Sequence, residues 1–297
     1  MIRLRKAILA HTCLKRLVLA SAAAGVFALQ SQAGVIINYP DFSSTAGLTF
    51  AGSTTTTANQ LELTAAAIGE SGAAYSTTAV TLGASDTFST TFEFQFTNTG
   101  GIDPADGITF VLAQSPTGLG IGGGGLGYLG VNNSVAIEFD TYENGGVDSS
   151  SNHVAIDTNG ALSNSNLTNL YGVATCDTGT HTAAGCMSNG DVWSVTISYD
   201  GANLSASAWD TTGEGSAFPV YSSVPLNIAS FLGGTTAYVG FSGGTGSGFE
   251  QQDILNWELA NDTSLGSPST PEPATAALVF AGIAGLALVR RRRACRR

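Results

Sequence analysis

No lysine or arginine occurs between residues 17 and 289. All 11 basic residues sit in the end segments, 3–16 and 290–297, while all but one of the 22 acidic residues lie between 34 and 270. Such a chain has no Lys–Glu or Arg–Asp pair with which to neutralise a buried carboxylate. Every acid that folding removes from water must be protonated, hydrogen-bonded or held by a cation from outside. The same charge repels phosphate backbones and anionic headgroups, which excludes nucleic acid as a partner and any polybasic membrane contact.

That constraint falls hardest on one run, VAIEFDTYENGGVDSSSNHVAID from Val135 to Asp157. Its first part, Ser134–Tyr142, is predicted to be a buried strand. Alternation puts Glu138, Asp140 and Tyr142 on one face and Ile137 and Phe139 on the other. Two adjacent carboxylates on an apolar strand repel each other and are desolvated; a divalent cation removes both penalties. Asn144, Asp148 and His153 follow within reach. Oxygen donors with one imidazole suit Ca²⁺ beside a Mn²⁺-like transition ion, so the run is predicted to form a two-metal site. The spacing is not that of an EF-hand, and a solvated acidic turn is the alternative.

Both ends carry the marks of processing. Residues 1–33 form a basic and then apolar signal peptide, with Ser31-Gln32-Ala33 as its cleavage site. A Ser/Pro/Gly spacer over 264–270 precedes Pro271-Glu272-Pro273, an apolar stretch from Ala274 to Val289, and Arg290 to Arg293. The segment 271–297 resembles the PEP-CTERM sorting tail of Gram-negative exported proteins. The resemblance implies handling by an exosortase-type machinery, membrane contact only through a transient C-terminal helix, and display at the cell surface or in exopolysaccharide matrix. A plain C-terminal anchor is the alternative. Cys176 and Cys186 are expected to form a local disulfide in an oxidising compartment.

Residues 34–263 suit one large β-sandwich. Strand patterns recur at Gln60–Thr64, Thr87–Thr97, Gly107–Ala113, Ser134–Tyr142, His153–Thr158, Val192–Tyr199, Leu204–Trp209, Ala237–Ser242 and Ile254–Leu259. Between Thr87 and Thr97, Phe88, Phe92, Phe94 and Phe96 share one face. Only Val224–Leu232 suggests a turn or two of helix. The chain is therefore expected to be all-β, an antiparallel sandwich or jelly roll. Trp193, Trp209 and Trp257 are expected in the core and His181 in a solvated loop.

The order ADGITF (105–110), GGLGYLGV (124–131), VAIEFDTY with Asn144, Asp148 and His153, GFSGGTG (240–246) and ILNW (254–257) resembles the legume-type (L-type) lectins. The likeness runs from about Phe42 to Leu259. It implies a concanavalin A-like jelly-roll β-sandwich and no enzymatic activity. By the family pattern Glu138, Asp140, Asp148 and His153 would hold the transition ion. Asp140, Asp148, Asn144 and the Tyr142 carbonyl would hold Ca²⁺. Asp106, Asn144, the Gly127 N–H and the Tyr142 ring would bind sugar, with Gly125 as the alternative glycine and Ser247 and Gly248 in the specificity loop. A cis peptide is implied before Asp106. Ser149 departs from the pattern, since plant members commonly have proline after the aspartate. The implied function is an exported, metal-dependent lectin for glycans or exopolysaccharide, with the sugar and the oligomeric state left open. Two alternatives stand beside it: a retaining β-glucan hydrolase using Glu138, Asp140 and Glu143, and a matrix protein that binds no sugar.

Overall fold

The computed structural model describes residues 34–261 apart from 83–86, 147 and 214–215. The expected leader, spacer and sorting tail lie outside the described residues. Strands β1 to β8 are Gly34–Tyr39, Leu48–Gly52, Thr55–Thr57, Gln60–Thr64, Ser71–Ser76, Val80–Thr81, Phe88–Gly101 and Gly107–Ala113. Strands β9 to β16 are Ser134–Asp140, His153–Thr158, Ala161–Asn169, Val192–Tyr199, Asn203–Asp210, Phe218–Pro225, Thr236–Gly244 and Gly248–Asn261. Among the described residues a short α-helix, α1, spans Ile228–Leu232.

The strands form two antiparallel sheets laid face to face. One runs β14-β13-β12-β7-β16-β4-β3 with β1 on β16; the other runs β11-β10-β9-β8-β15-β5-β2 with β6 on β15. Period-2 patterning explains the packing. On β7 the even-numbered Phe88, Phe92, Phe94 and Phe96 are all buried. Phe92 meets Phe110, Phe139 and Phe241 of the opposite sheet, with ring centroids 5.9, 5.8 and 5.0 Å apart. Such pairs each add about 0.5–1.5 kcal/mol beyond area burial.

Strand β9 is buried on both faces. Ile137 and Phe139 enter the main core. The other face is covered by the 114–133 connection, where Tyr128 and Val131 join Ala136, Val111 and Tyr75 in a second, smaller cluster. Glu138 and Asp140 therefore sit beneath a loop and away from bulk water.

The two described ends meet, Gly34 lying opposite Asn261. Long β16 runs the whole length of β7, from Gly248 opposite Gly101 to Asn261 opposite Phe88.

Several expectations are corrected. Strand β9 stops at Asp140 rather than Tyr142, because the Tyr142 N–H turns back to Asp140 Oδ1 (2.7 Å) and the Thr141 N–H bonds the Asp106 carbonyl (2.8 Å). This is a local side-chain turn outcompeting the ladder. Trp209 is 39% exposed near a sheet edge instead of core, whereas Trp193 and Trp257 are buried. His181 is half-buried, with Nε2 3.3 Å from Thr99 Oγ1.

Candidate functional site

Antiparallel register brings the metal run together. His153 on β10 lies opposite Asp140 on β9, and Ala155 opposite Glu138. Glu138, Asp140 and His153 therefore share a face, and one ligand atom from each lies within 4.8 Å of the others. All three are buried. His153 Nδ1 is 2.9 Å from the Ser150 carbonyl, which can only accept, so the Nδ1 proton is fixed there. Nε2 is thereby aimed at Glu138 Oε1, 3.2 Å away. Burial works against a charged imidazole, but the hydrogen bond and charge of Glu138, with Asp148 behind it, outweigh this and raise the His153 pKa.

The acids themselves are held uncomfortably. Burial first, and then the Glu138 charge, raises the Asp140 pKa well above the usual carboxylate range. Burial also raises Asp148, against the pull of the Asn144 N–H. That N–H reaches both Asp148 oxygens at 3.1 Å and closes the 144–148 turn. A cavity of about 330 Å³ opens between Glu138, Asp140, Asn144, Asp148, Gly124 and Leu129. Two buried carboxylates and an imidazole nitrogen, with no lysine or arginine between residues 17 and 289, fit a divalent transition ion. The oxygens of Asp148 and Asn144 around the adjoining cavity fit a harder ion.

Asp106 stands next to this cluster. The Ala105–Asp106 peptide is cis. The Asp106 N–H bonds the Gly244 carbonyl (3.0 Å), while its own carbonyl accepts the Thr141 N–H. Its Oδ2 is buried without a hydrogen-bond partner, and burial pushes the carboxyl up to about 7. Tyr142 is only half-buried.

The glycines of the 122–130 loop differ in what they pack against. Gly127 is buried and its N–H donates to the Ile121 carbonyl at 2.9 Å, so it is not a free donor. Gly125, the alternative, donates to Gly122 and packs on Ile121 and Leu129. Gly124 is the residue against Asn144: a Cβ there would lie 2.5 Å from Asn144 Oδ1. Gly248 is buried, where a Cβ would meet the Asp103 carbonyl at 2.3 Å. Ser247 is exposed and its carbonyl accepts the Ile102 N–H. Gly246 faces Asp106 instead, a Cβ there lying 3.2 Å from Oδ2. Runs of glycine carry no pattern that fixes register, which is why these offsets were hidden.

Sequence reasoning also passed over Glu250, which is fully buried on β16 and accepts a hydrogen bond from Thr141 Oγ1. It lies beyond the motifs, and its place in a strand pattern points only to burial. Cys176 and Cys186 are disulfide-bonded as expected. Glu143 lies exposed beyond the end of β9, apart from the buried Glu138.

Comparison with known proteins agrees with this fold. The legume lectin domain profile matches residues 35–274. An L-type lectin-domain containing receptor kinase of Arabidopsis thaliana is 32% identical over 203 residues, covering 65% of this chain and 26% of that protein. Favin of Vicia faba is 31% identical over 231 residues, covering 72% of this chain and 90% of favin. Among solved structures, a Bauhinia forficata lectin in complex with GalNAc superposes with a TM-score of 0.63 at 26% identity, over 77% of this chain and 97% of the other. The chain spans about a quarter of the receptor kinase's own length and 63% of that of the Lablab purpureus lectin alpha chain.

Proposed function

The chain belongs to the legume lectin domain family, and on that premise we propose that it is an exported, divalent-metal-dependent carbohydrate-binding protein. The observation that carries the reading is the convergence of Asp106, Asn144 and Gly124 on the edge of the Glu138–Asp140–His153 cluster. Glu138, Asp140, Asp148 and His153 would hold a Mn²⁺-like ion; Asp140, Asp148, Asn144 and the Tyr142 carbonyl would hold Ca²⁺. Bound there, the ions supply the positive charge that Lys and Arg do not supply anywhere between residues 17 and 289.

The chain's own groups do the recognition. The Asp106 carboxylate accepts from paired sugar hydroxyls and the Asn144 amide donates to one of them. Gly124, lacking a side chain, leaves room beside that amide, and the half-buried Tyr142 ring provides a stacking surface. A shallow site of this kind gains a few hydrogen bonds worth about 1 kcal/mol each. Single-site affinity is expected near the millimolar scale, about −4 kcal/mol, with multivalent display raising it. Glycans or exopolysaccharide at the cell surface are the proposed partners, reached through the leader and the PEP-CTERM-like tail.

The hydrolase alternative loses its geometry, since Glu143 lies exposed outside β9 and Glu138 is engaged by His153. A glycan array probed with and without EDTA, alongside elemental analysis of the purified chain, tests the proposal. Glycan binding lost in EDTA and restored by Ca²⁺ and Mn²⁺ supports it. Metal-free protein with unchanged glycan binding, or no glycan binding at all, overturns it.

A further inference from the structure

Four residues, Ser149 to Asn152, separate two expected ion ligands, Asp148 and His153, and of these Ser150, Ser151 and Asn152 are buried. Apart from the Asn152 N–H on Ser150 Oγ and the Leu170 N–H on the Asn152 carbonyl, their partners come from the loop closed by the Cys176–Cys186 disulfide and its two shoulders, or are Asp148 and His153 themselves. Ser150 Oγ and the Ser151 N–H both donate to the Ala174 carbonyl at 3.0 Å. Ser151 Oγ accepts the Cys176 N–H (2.8 Å) and donates to Asp177 (3.0 Å). The Asn152 amide spans the crosslink. Its nitrogen donates to the Val173 carbonyl (3.2 Å) and the Gly185 carbonyl (2.8 Å), and its oxygen accepts the Met187 N–H (2.9 Å). From this segment the Ser150 carbonyl holds His153 Nδ1 and the Ser150 N–H reaches Asp148. The same loop touches the sugar side, where Thr178 bonds Asp103 Oδ1 (2.6 Å) and the Ile102 carbonyl (3.1 Å).

We propose that the Cys176–Cys186 loop is a clamp that positions the ion ligands Asp148 and His153, with Asn152 as the positioning residue, so that opening the disulfide weakens ion binding. The inference rests on the metal reading above. Asn152 can make its three bonds only while Val173, Gly185 and Met187 stay in register, and the crosslink limits how far those shoulders separate. Without it, the loop must be ordered again each time an ion binds, and that entropy opposes binding. Groups that orient ligands from behind are commonly worth about 10–100-fold in metal affinity.

The test measures Mn²⁺ affinity by electron paramagnetic resonance on metal-stripped chain in oxidised, reduced and reoxidised states, and in the Cys176→Ser/Cys186→Ser and Asn152→Ala variants. Amide hydrogen exchange is followed in the same samples without metal. The expected result is at least about tenfold weaker Mn²⁺ binding on reduction and in both variants. Reoxidation restores it, and exchange quickens at Ser150–His153 while β7 and β16 stay protected. Equal Mn²⁺ affinity in oxidised and reduced chain overturns the clamp. So does exchange that quickens equally in β7 and β16, which would make the crosslink a global staple. Failure of the oxidised wild type to bind Mn²⁺ sinks the metal reading itself and the clamp with it, and shows in that control alone.

Discussion

Thr141 Oγ1 donates to Glu250 Oε1 at 2.7 Å, joining the turn after β9 in one sheet to β16 in the other. Burial pushes the Glu250 carboxyl up to about 8. Below about pH 4.5 it is protonated in both folded and unfolded chain and adds no pH dependence. Between there and about 8 it is ionised only in the unfolded chain, so stability falls as pH rises, levelling off above 8. Glu250→Gln keeps an acceptor for Thr141 and removes that slope. Thermal melts of metal-free protein should show the variant more stable than wild type at pH 8 and equal to it near pH 4.5.

Asp140→Asn separates ion binding from folding. The amide oxygen can still accept the Tyr142 N–H, while the charge facing Glu138 is gone. Metal-free variant should melt about 2–4 °C higher than metal-free wild type at pH 8, if the relief is about 1 kcal/mol. It should lose the metal-induced rise in melting temperature, which in wild type corresponds to about 2.7 kcal/mol at an ion concentration a hundred times Kd. Differential scanning calorimetry with and without Mn²⁺ and Ca²⁺ reads both effects.

Asp106→Asn should abolish glycan binding and leave metal content unchanged, because Asp106 adjoins the ion cluster without joining its three closest donors. Titration calorimetry with a glycan found on the array, paired with elemental analysis, checks the split. Loss of metal together with sugar would place Asp106 among the ligands.

Two glycines in one loop should behave oppositely. At Gly124 a Cβ collides with the movable end of Asn144, so Gly124→Ala should keep the fold and cut glycan affinity at least about tenfold, about 1.4 kcal/mol. At Gly127 the φ of +65° and the Gly243 carbonyl 2.6 Å away leave a side chain no room. Gly127→Ala should therefore lower the melting temperature, with glycan affinity of the folded fraction much less affected. Melting curves and glycan titrations on both variants decide it.

How far the sequence could be read depended on periodicity. A continuous apolar run marked Gly107–Ala113 and alternation marked Val192–Tyr199 to the residue, and the two-residue spacing of Glu138 and Asp140 with the downstream His153 pointed to the cluster. It was silent where strands are small and polar: Ser71–Ser76 and Ala161–Asn169 lack the apolar alternation that distinguishes strand from loop. Glycine runs hid which backbone faces Asn144 and Asp106, since register there is set by neighbours such as Thr245, whose carbonyl holds the Gly123 N–H. The web around Asn152 was invisible for another reason: its partners lie 21 to 35 residues away and are backbone groups.

Gly34 and Asn261 meet at one end of β16, and Gly248, beside the Asp103–Asp106 stretch, begins its other end. Fourteen residues of strand separate these poles, a span of roughly 40 Å at about 3.3 Å per residue. A tether fastened beside Gly34 or Asn261 would therefore hold the sandwich like a lamp on a stalk, with the Gly248 pole pointing away from it.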